Sequence, residues 1–128
     1  MPQLVKGGKW VFGWVVVGAN RTLPLPPEAA AEYGFEAGDA VVLTPGSRRS
    51  GDFGVSTPTR LATSKVPLRT LGQSKIDADG QVILPPEIQA QPDDRLLAVR
   101  GSGTALGFIK HGPIYQEALA HPELLIFE

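Results

Sequence analysis

The chain has 128 residues, 42% of them apolar, and a formal net charge of -1. That length allows one ordinary domain or two very small units sharing a core, and the apolar fraction excludes disorder along the whole chain. The absence of cysteine excludes a disulfide framework, a thiolate metal site and a cysteine nucleophile, while 15 Gly and 12 Pro between short apolar runs argue against an all-helical bundle.

No leader with a basic start, an apolar core and a small-residue cleavage site opens the sequence, and no apolar run reaches bilayer-spanning length. A cytoplasmic protein without a membrane partner is therefore expected. Gly7-Gly8 reads as a turn. Trp10, Phe12 and Trp14 alternate with Val11, Gly13 and Val15, which in a regular strand sets three aromatics on one face, as core or interface.

Val15-Val16-Val17 runs into Gly18-Ala19-Asn20, a strand ending in a turn. Leu25-Pro26-Pro27-Glu28 then opens a helix: Pro27 suits the first helical position, Glu28 complements the helix dipole, and Gly34 supplies the stop. Ala40-Val41-Val42-Leu43 and Phe53-Gly54-Val55 form a hairpin with its tip at residues 45–52. From 47 to 76 the chain carries Arg48, Arg49, Arg60, Lys65, Arg69 and Lys75 against Asp52 alone, a net charge of +5 in an otherwise acidic molecule.

The same order of features then returns. Leu84-Pro85-Pro86-Glu87 repeats Leu25-Pro26-Pro27-Glu28 at an offset of 59, with Ile76 matching Val17 and Val82 matching Leu23. Asp94 matches Asp39 after a four-residue contraction, Arg95-Leu96-Leu97-Ala98-Val99 matches the strand from Ala40, and Leu106-Gly107-Phe108 matches Phe53-Gly54-Val55. The contraction and Pro92 leave the second helix a stub over 86–90. A final amphipathic helix over 113–120, with Ile114, Ala118 and Leu119 inward, is closed by Pro122. The apolar run Leu124-Leu125-Ile126-Phe127 either packs on its own chain or adds a strand to a second copy.

Catalytic chemistry has no foothold. His111 and His121 stand apart with Pro113 and Pro122 interrupting any regular spacing, so they form neither a metal pair nor a base-nucleophile pair. Asp77, Asp79, Asp93 and Asp94 lack the Gly and final Glu of a calcium loop and serve turns instead. No glycine cluster completes a dinucleotide or phosphate-loop signature, so no enzyme activity, cofactor or metal is expected.

The two Leu-Pro-Pro-Glu segments, Gly34-Phe35-Glu36-Ala37-Gly38-Asp39, and the opening from Lys75 to Glu87 resemble the AbrB/SpoVT swapped-hairpin family. The resemblance implies a mainly β (β-rich α+β) fold, a swapped-hairpin β-barrel of two interlocked copies, supplied here by one chain. Residues 1–57 would be the first unit with its Trp-rich strand, 58–73 the linker, and 74–128 the second unit with the C-terminal helix. It further implies a DNA-binding transcriptional regulator or antitoxin-like protein, with DNA, a protein such as a cognate toxin, and a second copy of the chain as partners. The family's Arg after the turn Gly is replaced by Gln81 and Thr22, with Arg21 one place early. The basic residues left for DNA are Arg21, Arg48, Arg49, Arg60, Lys65, Arg69 and Lys75. The alternative is an interaction or assembly module on the same fold that has lost DNA binding.

Overall fold

The computed structural model describes residues 2–46, 51–63, 69–101 and 104–128. It is mainly β, with short helices. Nine strands are β1 (Val11–Val16), β2 (Thr22–Leu23), β3 (Ala40–Pro45), β4 (Gly51–Ser56), β5 (Gly72–Lys75), β6 (Val82–Ile83), β7 (Arg95–Arg100), β8 (Leu106–Ile109) and β9 (Ile126–Phe127). The helices are α1 (Pro27–Tyr33), α2 (Pro58–Ala62) and α3 (Pro113–Ala118).

Seven strands make one sheet in the order β5-β3-β4-β8-β7-β1-β9, and β2 pairs with β6 in a separate ribbon. The expected barrel is not closed among the described residues: β5 and β9 are sheet edges. Part of the reason is covalent. β2 and β6 are two residues long and run into Pro24 and Pro85, which have no N–H to extend a ladder.

The strand pairing is two-fold in its register. Val15 pairs with Leu96 and Val16 with Arg95, while their counterparts Ser74 and Lys75 pair with Val41 and Ala40. Thr22–Ile83 and Leu23–Val82 face each other in the ribbon, and Gly54 lies opposite Gly107 where β4 meets β8. Turns repeat as well. Val17 N donates to Asp94 O and Ile76 N to Asp39 O, both at 2.9 Å; Arg21 N donates to Gly18 O and Gly80 N to Asp77 O, both at 3.0 Å. Each opening strand thus pairs with the hairpin that lies far from it in sequence.

Two apolar clusters lie on opposite sides of the sheet's β7–β1 region. Phe12, Val15, Leu43, Leu96, Leu106 and Phe108 belong to the larger, where Phe53 and Phe108 stack at 5.3 Å. Val11, Trp14, Leu97 and Val99 belong to the smaller, covered by Ile114 and Ala118 of α3 and by Leu124. The aromatic stripe is therefore split. A β-bulge between Val11 and Gly13 breaks the two-residue alternation, so Phe12 and Trp14 enter different clusters and Trp10 remains 42% exposed.

α1 starts with Pro27 in its first turn and stops at Gly34, whose φ of 70° places it in the left-handed region. The second stub is not helical: residues 86–88 make a turn in which Ile88 N donates to Pro85 O at 3.0 Å. Within the linker α2 forms behind a Thr57 cap whose side chain accepts from Arg60 N. α3 ends at Ala118, leaving Leu119 57% exposed rather than inward, because the chain turns toward Pro122. The C-terminal run pairs within its own chain, β9 lying parallel to β1. No helix among the described residues is long and apolar enough to cross a membrane.

Candidate nucleic-acid interface

The basic residues singled out in the sequence occupy unlike environments. Arg21 sits in the turn between β1 and β2 at a φ of 57°, a conformation its counterpart Gly80 adopts without penalty. Its side chain turns inward. Nε donates to Ala90 O at 3.0 Å, and Nη2 donates to Pro85 O at 3.3 Å and to Ile88 O. One guanidinium thereby satisfies three carbonyls of the second Pro-Pro-Glu turn, where no helix supplies N–H partners.

Arg60 does the same for the end of α1. Its Nε donates to Tyr33 O and its Nη2 to Glu32 O, each at 3.1 Å, and its guanidinium lies 5.1 Å from the centre of the Tyr33 ring. These are carbonyls at the C-terminal end of α1, which the helix itself leaves without donors. α2 is thereby tied to the end of α1.

Arg69 and Lys75 are exposed. Leu71 N donates to Leu43 O at 2.7 Å and Gly72 lies opposite Leu43, so the chain at Arg69 approaches the end of β3 from which the 45–52 tip departs. Lys75 lies opposite Ala40, at the other end of β3. Arg48, Arg49 and Lys65 lie outside the described residues. Where β4 and β8 pair Gly51 with Ile109, Asp52 of β4 meets His111 at 3.5 Å, and Lys110 meets Asp94 at 3.4 Å.

Several acidic residues are committed to structure. Asp94 Oδ2 accepts from Gln91 N at 2.9 Å, and this bond, helped by Lys110, holds its carboxyl below the usual range. Asp77 Oδ1 accepts from Asp79 N at 2.9 Å and Gln81 N at 3.0 Å, which closes the turn before β6. Glu32 receives two hydrogen bonds from Arg100, which lower its carboxyl pKa and raise that of the guanidinium. Both side chains are over a third exposed, so the pair adds little stability, but it ties α1 to β7. It spans 68 residues of sequence, a separation at which no local pattern could reveal it.

His121 stands between Glu123, 2.6 Å from Nδ1, and Glu117, 3.1 Å from Nε2. These hydrogen bonds raise its pKa above 6.5, Glu123 contributing most. A raised value in the folded state means the contribution is fully present below the unfolded pKa and is lost as pH rises through the folded one. NMR titration is expected to place the His121 midpoint above 6.5, and Glu123→Gln to move it down; equal midpoints in the two proteins would contradict the assignment. Among the described residues no group of three or more His, Asp or Glu side chains could hold a metal ion.

No known family model matches the chain, and no curated protein or solved structure shows significant similarity to it.

Proposed function

We propose that the chain is a DNA-binding regulator of the AbrB/SpoVT type in which two tandem swapped-hairpin units replace the usual pair of subunits. The observation that carries this reading is the two-fold register: β1 pairs with β7 and β5 with β3, so each unit completes the other's hairpin. Two-fold DNA-binding proteins present like elements to two half-sites, and an internal duplication can do so within one polypeptide. The contact set is reduced to Arg48, Arg49, Lys65, Arg69 and Lys75, because Arg21 and Arg60 serve backbone carbonyls. A cytoplasmic location and a protein partner such as a toxin belong to the same reading.

The test is fluorescence anisotropy with mixed-sequence duplex DNA between about 50 and 200 mM salt. Five phosphate contacts, from Arg48, Arg49, Lys65, Arg69 and Lys75, give a log–log slope of about -4.5, and Arg48→Ala/Arg49→Ala would flatten it to about -2.7. An unchanged slope in that variant would remove the hairpin tip from the interface. Absence of binding at the low-salt end would favour the second reading, an interaction or assembly module. That alternative is supported by the inward placement of Arg21 and by Gln81 and Thr22 where the family carries Arg.

A further inference from the structure

The N-terminal loop, the end of β7 and the start of α3 line an open surface pocket of about 570 Å³. Its wall includes Lys6, Lys9, Trp10, Arg100 and Ile114, and none of its lining residues is acidic. The volume lies within the range typical of small-molecule sites.

The loop is held in shape by its own hydrogen bonds. Gly8 N donates to Val5 O and Val11 N to Pro2 O, both at 2.8 Å, while Gln3 Nε2 donates to Gly8 O at 2.7 Å. Arg100 N donates to Trp10 O at 2.8 Å, which fixes the loop to β7. Gly7 turns the chain at a φ of 74°. A methyl group on Gly8 would stand 3.0 Å from Val5 O and 3.2 Å from Val5 Cβ, so the loop's tight return on itself favours glycine there. The wall is thus pre-shaped, which lowers the ordering cost of binding.

Its chemistry is specific in kind. Among the described residues neither Lys6 nor Lys9 takes part in an ion pair, whereas Arg100 is neutralised by Glu32. Lys6 and Lys9 line the same pocket as Trp10, which is 42% exposed although indole rings usually gain by burial. Lysine ammonium groups suit a phosphate, and an exposed indole suits the flat ring of any base.

We infer that this pocket binds a nucleoside phosphate, the phosphate held by Lys6 and Lys9 and the base stacked on Trp10. The occupant is a free nucleotide or the phosphorylated end of a single strand, which share that chemistry. The inference does not rest on duplex DNA binding and survives its failure.

The experiment follows tryptophan fluorescence of the full chain at low salt. Trp14 is only 3% exposed, edge-on to Tyr115 and covered by Arg95, and supplies a steady background. AMP is expected to quench the exposed indole with a Kd of roughly 1 mM or below, and calorimetry to return the same constant. Adenosine and inorganic phosphate should each bind at least tenfold more weakly, and Lys6→Gln/Lys9→Gln should weaken AMP by at least tenfold. By calorimetry Trp10→Leu should weaken it comparably. If a 5′-phosphorylated single-stranded oligonucleotide binds and AMP does not, the strand end is the occupant. The inference is overturned if neither binds, if adenosine or phosphate matches AMP, or if the lysine variant binds AMP as the parent does.

Discussion

Gly13→Ala is expected to destabilise the protein by about 3 kcal/mol, a large loss for one methyl group. Gly13 has a φ of 146° at the bulge in β1, where a Cβ would stand 2.7 Å from Leu125 O and 3.0 Å from Phe127 Cε2. Leu125 O cannot simply withdraw, because it accepts from Trp14 N at 2.8 Å and leads directly into β9. The substitution must strain the bulge or detach the C-terminal strand. Gly34→Ala is the comparison, since its φ is 70° but nothing lies within 4 Å of the added carbon, and only the left-handed backbone cost of about 1 kcal/mol applies. In a chain lacking residues 125–128, Gly13→Ala should lose the part of its effect that comes from this contact and keep the cost of the positive φ in denaturant unfolding. Additive losses would mean that contact with the C-terminus is not the cause.

Arg21→Ala is expected to cost a similar amount, about 3 kcal/mol, because it strands the carbonyls of Pro85, Ile88 and Ala90. Ile88 and Ala90 are themselves buried, at 4% and 2% exposure, so water has little access to the vacated acceptors. Arg21→Gly should be the milder change, since it loses the same bonds but relieves the positive φ. A stability loss below about 1 kcal/mol in urea would show that the three carbonyls find other donors. Under the proposed function, DNA affinity measured well below the melting temperature should be the same for parent and variant. A drop in affinity without a drop in stability would instead return Arg21 to the contact surface.

The candidate interface was only partly legible in the sequence. Counting charges finds the basic stretch from 47 to 76, but charge says nothing about which guanidinium meets a carbonyl and which meets solvent. Arg21 and Arg60 look like Arg69 in one dimension, and their partners lie 64 to 69 and 27 to 28 residues away. The pocket at Lys6, Lys9 and Trp10 is hidden in the sequence for a different reason. Two lysines flanking a double glycine and followed by tryptophan are a visible pattern, yet the regional charge count merges them with the acidic residues of α1 and the turn after it. Only the docking of α3 and the end of β7 against that loop makes a concave site of it.

Sequence alone determined the mainly β character and the extent of α1 from Pro27 to its glycine stop. These follow from local causes: proline geometry, glycine at positive φ, and apolar runs of strand length. Tertiary structure decided the rest. The split of Phe12 and Trp14 between two clusters depends on a bulge stabilised by the distant Leu125 carbonyl, and the choice of β9 to pair with β1 rests on contacts across more than a hundred residues. The open sheet and the inward turn of Arg21 were likewise decided by which carbonyls and strand edges lacked partners after the two halves met, because backbone polar groups must be satisfied wherever the assembled chain leaves them.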